Sequence, residues 1–271
     1  MFNPPSLKLY PSLGSKPLVF APANGFAPLV YRQFLDLLAP HFKIYLVEYR
    51  PFWGEPLPPK NFKWQILADD LTSQIQQLEK ITKMPVTLLG HSLGAVLGIM
   101  VAAKNPLFFE RVIAVEPVLL PTLQAWALQF LPNKFKRKIP LIRKTLGRPS
   151  QFKNVEKAFE FHRRKSVFAS FSDQALQDYI EFGFSDSQPC KLLFDKHWEA
   201  EIFANLPNIW RQIKAIQTPV FAIRAENSNA LCVKKWQRWQ RCCPNHEFVE
   251  VAKTDHLLPL ANPSLFSCFL C

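Results

Sequence analysis

Ser92 stands in a segment whose residue types suit nucleophilic chemistry, Gly90-His91-Ser92-Leu93-Gly94. A serine hydroxyl is a weak nucleophile, so it needs a sharp turn between a strand and a helix that presents its Oγ above a sheet. The two glycines leave room for such a turn. The serine then lies at the start of the helix, where unpaired backbone N–H groups can stabilise an oxyanion. The segment therefore indicates acyl transfer.

Strands and helices that could position this turn alternate along the chain. Residues 85–89 predict a short buried strand before the serine, and 95–98 begin an apolar helix after it. An amphipathic helix is predicted over 63–81. Further strands are predicted at 7–10, 17–21, 42–49, 111–115, 219–224 and 247–251. This alternation requires a mostly parallel sheet with helices on both faces.

The alternation is interrupted between Pro117 and about residue 217. This stretch is rich in Trp, Phe and Leu and predicts helices and loops without an evident strand, including a helix over 172–182. We interpret it as a helical lid over the carboxyl edge of the sheet. The predicted domains are a core of residues 1–116 and 218–271 and a lid of residues 117–217.

The charge of the chain is basic and unevenly distributed. Its formal net charge is +12, and no acidic residue lies between Glu116 and Glu156. This lid surface could contact an anionic lipid or an anionic substrate. We expect no nucleic-acid partner, because no nucleic-acid motif accompanies the charge. Seven basic residues fall close together in this stretch, namely Lys134, Lys136, Arg137, Lys138, Arg143, Lys144 and Arg148.

Composition and cysteine usage exclude other classes. No apolar run approaches the roughly 20 residues of a membrane span, and the first 18 residues lack the order of a signal peptide. We therefore predict a cytoplasmic protein whose six cysteines are free thiols. No segment has the ligand spacing of a zinc site, so we expect neither a metal nor a cofactor. The cysteines are Cys190, Cys232, Cys242, Cys243, Cys268 and Cys271.

Three segments, taken in order, resemble the α/β-hydrolase superfamily. They are residues 20–26 (Phe-Ala-Pro-Ala-Asn-Gly-Phe), 90–94 (Gly-His-Ser-Leu-Gly) and 254–260 (Thr-Asp-His-Leu-Leu-Pro-Leu). The resemblance covers nearly the whole chain. It implies an α/β-hydrolase fold, with the lid inserted after the sixth strand.

The resemblance implies that His256 is the base that activates Ser92. His256 directly follows the last predicted strand, which is the expected place of this base in the superfamily. His91, beside the serine, is predicted only to pack, because neighbouring residues on a tight turn point apart. The remaining histidines carry no motif, and we expect structural or surface roles for them.

The acid that orients the base is the open question. Many relatives carry an aspartate after the seventh strand, but the aligned residue here is Asn229. Other relatives carry the acid after the sixth strand, where this chain has Glu116. Glu116 is our first choice and Glu226 our second. The third possibility is an impaired triad, since an asparagine could hold the imidazole without stabilising its charged form.

These assignments predict a serine hydrolase with catalytic Ser92, His256 and Glu116. The backbone N–H groups of Leu93 and, by resemblance, Asn24 would form the oxyanion hole. The apolar lid favours a small-molecule ester or thioester with a hydrophobic acyl group. The alternative is a non-catalytic binding protein of the same fold, which the asparagine at position 229 motivates.

Overall fold

The computed structural model of the chain describes residues 4–55 and 57–270. The described residues form nine strands, and seven of them lie where the sequence predicts a strand. In chain order the strands are β1 (Lys8–Leu9), β2 (Lys16–Ala21), β3 (Phe42–Leu46), β4 (Val86–His91), β5 (Phe109–Val115), β6 (Gln151–Phe152), β7 (Cys190–Lys191), β8 (Val220–Ala225) and β9 (Glu247–Val251).

Seven of these strands form one sheet in the order β1-β3-β2-β4-β5-β8-β9. The edge strand β1 is antiparallel to β3, and all other neighbours are parallel. The predicted α/β-hydrolase architecture of a mostly parallel sheet is therefore confirmed. The strand before the 117–217 segment is the fifth in chain order and not the sixth, because the described residues of this sheet form seven strands.

Helices connect the parallel strands and cover both faces of the sheet. Their bounds are α1 (Arg32–Leu38), α2 (Trp64–Thr82), α3 (Leu93–Ala102), α4 (Thr122–Phe130), α5 (Asn133–Lys136), α6 (Pro140–Gly147), α7 (Val155–Arg163), α8 (Asp173–Gly183), α9 (Lys196–Ala204), α10 (Trp210–Ala215), α11 (Val233–Cys242), α12 (Leu258–Ala261) and α13 (Ser267–Leu270).

The strand β2 shows how the sequence fills both layers of core. Leu18 and Phe20 point to one face and pack in a cluster with α1 and the carboxyl-terminal helices. Val19 and Ala21 point to the other face and pack in a cluster with α2, α3 and α11. Successive side chains of a strand alternate between faces, so a strand buried on both sides must be apolar throughout.

Residues 117–217, which we call the insertion, lie between β5 and β8 and contain seven α-helices and the two short strands β6 and β7 among the described residues. β6 and β7 are distant in sequence and pair antiparallel, so the prediction that this stretch lacks strands is wrong. Each of these strands has two residues, which is too short to produce a sequence pattern. Tryptophan side chains tie the insertion to the core: Trp64 Nε1 donates to the carbonyl of Ile202 at 3.0 Å, and Trp198 Nε1 to that of Glu55 at 2.9 Å.

The cysteines and the helices agree with the expectations from composition. Cys190, Cys232, Cys242, Cys243 and Cys268 are free thiols, and Cys271 lies outside the described residues. Within residues 4–55 and 57–270, no helix is both long and apolar enough to cross a membrane.

Gly94, near the start of α3, sits directly against β2. A Cβ on this residue would lie 2.0 Å from the carbonyl oxygen of Ala21. We expect Gly94→Ala to lower the free energy of unfolding by roughly 3 kcal/mol, because the helix and the strand would have to separate. Gly147→Ala is the matched control, since a Cβ there meets nothing within 4 Å. Urea unfolding should show that this control is neutral or stabilised by up to about 1 kcal/mol.

Candidate active site

Parallel strands gather the predicted site residues at one edge of the sheet. The strands β2, β4, β5, β8 and β9 all end at this edge, because their registers pair the last residues of neighbouring strands. The loops that follow them therefore lie side by side. They contain the turn at 22–26, Ser92, Glu116, the segment 226–231 and the segment 252–257.

Ser92 occupies the sharp turn between β4 and α3. Its backbone has φ 52° and ψ −105°, a conformation that non-glycine residues rarely adopt. The backbone N–H of Ser92 donates to the carbonyl of Val115 at 2.9 Å, which fixes the turn against β5. A Cβ on Gly90 would lie 2.3 Å from the backbone of Gly94, so both glycines are needed for the close approach. The side chain of Ser92 is held at a defined position above the sheet.

His256 lies in the loop after β9 and reaches Ser92. Its Nε2 is 3.1 Å from the Oγ of Ser92, which is hydrogen-bond distance. The loop is shaped by its own side chains: Thr254 Oγ1 donates to the carbonyl of Val251 at 2.7 Å, and Asp255 Oδ1 accepts from the N–H of Leu257 at 2.9 Å. Asp255 therefore caps this loop.

Glu116 lies on the other side of the imidazole. Its Oε2 is 2.9 Å from Nδ1 of His256, and the residue is 0% exposed. A buried carboxylate must have its oxygens satisfied. The N–H of Ala225 donates to Oε1 at 2.8 Å, and the hydroxyl of Ser228 donates to Oε2. Glu116 is thus a fully partnered carboxylate in hydrogen-bond contact with the imidazole of His256.

Two residues after β8, Glu226 and Asn229, were also considered for the position of the acid beside His256. Neither of them contacts His256. Glu226 is exposed, and its Oε2 accepts the backbone N–H of Lys253 at 2.7 Å. Asn229 is also exposed, and within the described part of the chain it makes no hydrogen bond to the imidazole. This loop contributes Ser228, a residue that the sequence analysis did not single out.

The turn at 22–26 packs against the start of α3. The N–H of Gly94 donates to the carbonyl of Pro22 at 3.2 Å, and the hydroxyl of Tyr49 donates to the same oxygen at 2.8 Å. Gly25 has φ 87°, in the region that favours glycine. The backbone N–H groups of Asn24 and Leu93 have no hydrogen-bond partner among residues 4–55 and 57–270. Two free donors therefore lie on neighbouring turns beside Ser92.

His91 does more than pack, which corrects the sequence prediction for this residue. It is buried, and its Nε2 lies 2.8 Å from the backbone oxygen of His256. A carbonyl can only accept, so Nε2 carries the proton and Nδ1 accepts from the hydroxyl of Tyr31 at 2.7 Å. That hydroxyl in turn accepts the N–H of Ala23 at 3.2 Å. His91 thus joins the turn at 22–26 to the histidine loop, and burial holds its pKa well below its usual range.

A buried ion pair of the insertion lies against the same turn. Arg148 pairs with Glu199 of α9, whose backbone carbonyl accepts from the side-chain amide of Asn24 at 3.0 Å. A Cβ on Gly25 would lie 2.8 Å from Oε2 of Glu199. Burial raises the pKa of this carboxyl to about 7, although Arg148 opposes the shift. No local motif marks either residue, since their proximity depends on how the insertion folds.

In the part of the chain that the structure describes, we find no metal-binding cluster, that is, no group of three or more His, Cys, Asp or Glu side chains that could hold a metal ion. The residues gathered at this edge of the sheet offer a hydroxyl, an imidazole, a carboxylate and backbone N–H donors.

Comparison with known proteins agrees with this arrangement. The sequence profile of the alpha/beta hydrolase family matches residues 18–267. The chain belongs to the α/β-hydrolase family. Among curated members of known activity, mouse (Mus musculus) monoglyceride lipase is 31% identical over 97 residues, which is 35% of this chain and 31% of that enzyme. The match thus spans about a third of the length of this curated relative.

Solved structures of other α/β-hydrolases share the fold over nearly the whole chain. E-2-(acetamidomethylene)succinate hydrolase has a TM-score of 0.74 at 20% identity and covers 95% of this chain and 90% of its own. A peroxisomal α/β-hydrolase of Saccharomyces cerevisiae has a TM-score of 0.76 at 18% identity. The match covers 96% of this chain and 77% of the yeast protein. At such identities the likeness concerns the fold.

Tyr31→Phe should destabilise this α/β-hydrolase by about 1–3 kcal/mol in urea unfolding. The substitution leaves the N–H of Ala23 without an acceptor and Nδ1 of His91 without a donor, both in a buried place. Tyr45→Phe is the matched control, because the Tyr45 hydroxyl makes no hydrogen bond within the described residues. Equal effects of the two substitutions would contradict the role given to the Tyr31 hydroxyl.

Glu199 should make the stability of the protein depend on pH. Its folded pKa of about 7 lies above the ordinary value of 4.5, so the folded state binds more protons than the unfolded state between these values. The contribution of Glu199 to stability is therefore fully present below pH 4.5 and is lost as the pH rises through 7, by about 3 kcal/mol in total. Urea unfolding of wild type and Glu199→Gln from pH 4.5 to 8.5 should show this fall in the wild type alone.

Proposed function

We propose that the chain is a serine hydrolase that cleaves an ester or thioester of a hydrophobic acyl group through an acyl-enzyme intermediate. The observation that carries the proposal is the continuous row of hydrogen-bond distances from Ser92 Oγ to His256 Nε2 (3.1 Å) and from His256 Nδ1 to Glu116 Oε2 (2.9 Å). Nucleophile, base and orienting acid in this geometry are the parts that acyl transfer needs.

In the proposed reaction Ser92 Oγ attacks the substrate carbonyl while His256 Nε2 takes the hydroxyl proton. Glu116 holds the imidazole by Nδ1 and stabilises its positive charge. The negative charge moves to the carbonyl oxygen, where the N–H groups of Leu93 and Asn24 donate to it. His256 then returns the proton to the leaving group. Water, activated by the same imidazole, hydrolyses the acyl-enzyme and regenerates the serine.

A mostly apolar cavity supports the choice of a hydrophobic acyl group. Its volume is about 450 Å³, and it begins at residues 27–29, directly after the turn that carries Asn24. A volume of this size suits a small ligand. Its other wall contains Phe182, Phe184 and Leu193 of the insertion, together with the acidic side chains of Glu181 and Asp186. We therefore propose that residues 117–217 act as a lid that contributes to the substrate site.

The similarity to mouse monoglyceride lipase also supports an ester substrate, since that relative is named for cleaving a lipid ester.

The free thiols among the described cysteines support the predicted cytoplasmic location. The alternative of a non-catalytic binding protein rested on Asn229. Glu116 supplies a carboxylate to His256, so that reason does not apply.

Hydrolysis of short and medium acyl p-nitrophenyl esters tests the proposal. Ser92→Ala should abolish turnover and labelling by a fluorophosphonate probe. Glu116→Gln should lower kcat by about 10⁴-fold, because the amide can hold the imidazole but cannot stabilise its charged form. Asn229→Ala and Glu226→Gln are the matched controls and should retain full activity. Turnover that persists in Ser92→Ala, or that is absent from the wild type together with labelling, would contradict the proposal.

A further inference from the structure

One helix of the insertion presents apolar side chains to solvent. Leu123, Trp126 and Phe130 of α4 are 81%, 57% and 81% exposed. They recur with Ala127 at helical spacing, so they share one side of the helix. The buried residue of α4, Ala125, lies on the other side. We call the four exposed residues the α4 face. A contiguous exposed face of this kind indicates a binding surface.

Exposed cationic side chains follow this face closely in the chain. Lys134, Arg137, Lys138, Arg143 and Lys144 are all exposed and follow within 15 residues of the helix. None of them forms an ion pair with a described residue. No acidic residue occurs between positions 116 and 156 to neutralise them. Phe135 and Leu141, which are partly exposed, extend the apolar surface among the charges.

The fold holds this surface in place at the edge of the sheet where the candidate site lies. The segment before α4 is fixed to the core, because Trp210 Nε1 donates to the carbonyl of Leu120 at 2.9 Å. The helix follows Glu116 by six residues. Lys136, within the basic stretch, is buried and donates to Oδ1 of Asn205 at 2.8 Å. The α4 face and its cations thus belong to a folded surface.

We propose that the α4 face and the exposed cations that follow it in the chain bind the surface of a membrane that contains anionic lipids. Trp and Phe side chains with leucine are the residues that enter the interfacial region of a bilayer, and Lys and Arg contact its phosphate and carboxylate groups. A nucleic acid would satisfy the cations but would leave Leu123 and Phe130 in water. This binding surface contains none of the proposed catalytic residues, so the inference is independent of the proposed function.

Vesicle sedimentation at low ionic strength tests the inference with the full-length protein. The wild type should sediment with vesicles of phosphatidylcholine containing about 30% phosphatidylserine and at least about tenfold more weakly with phosphatidylcholine alone. Added salt should release it, because the attraction of the cations is screened. Ser92→Ala should bind as the wild type does, whatever its activity.

Two variants test the apolar part and the charged part separately. The double substitution Trp126→Ser/Phe130→Ser should lower the partition coefficient at least about tenfold. The double substitution Lys134→Glu/Lys138→Glu should lower it by a similar factor or more. All four residues are exposed, so circular dichroism and thermal unfolding should show that both variants remain folded.

Matched controls lie at the opposite edge of the sheet. Leu107 is 89% exposed and precedes β5, so Leu107→Ser removes an equally exposed apolar residue far from the α4 face. Lys16 begins β2, and Lys80 lies near the end of α2, so Lys16→Glu/Lys80→Glu changes the net charge as much as the lid variant does. Both controls should bind anionic vesicles as the wild type does.

Three results would overturn the inference. The first is absence of sedimentation with anionic vesicles. The second is equal loss of binding in the lid variants and their controls, which would indicate attraction by net charge alone. The third is a dimer in analytical ultracentrifugation that Trp126→Ser/Phe130→Ser dissociates, which would assign the α4 face to a second copy of the chain.

Discussion

The arrangement at the carboxyl edge of the sheet depends on one buried carboxylate. Glu116 has no exposed surface, so its charge is tolerable only because three donors from two other segments reach it. Those donors are the N–H of Ala225, the hydroxyl of Ser228 and the imidazole of His256. Satisfying this charge requires that the loops after β5, β8 and β9 converge. The positioning of the imidazole against Ser92 is a consequence of the same requirement.

A second layer of polar contacts holds the turn at 22–26 from both sides. The hydroxyl of Tyr31 and the ring of His91 connect it to the histidine loop, and Glu199 connects it to the insertion. These contacts are buried, so the loss of one partner leaves the other unsatisfied. The turn that offers the N–H of Asn24 is therefore not a free loop, although it lies outside any helix or strand.

The sheet was predictable because its strands are continuous apolar segments, and Ser92 and His256 were predictable because each directly follows such a strand. Glu116 could be ranked above Glu226 only by resemblance, since a glutamate at a strand end is a common surface residue. The roles of His91, Ser228 and Glu199 could not be predicted. Their partners are distant in sequence, and neither residue type nor spacing indicates which loops meet in space. The two-residue strands of the insertion left no periodic pattern.

The distribution of the donors to Glu116 has a consequence for folding. Two of them come from residues 109 and 112 positions further along the chain, and His256 is 140 positions away. In an amino-terminal fragment that ends before β8, Glu116 would lie at an open edge of the sheet without these three donors. The arrangement around this carboxylate therefore forms only when β8, β9 and the loop after β9 have been synthesised. Contacts of such high sequence separation are associated with slow folding.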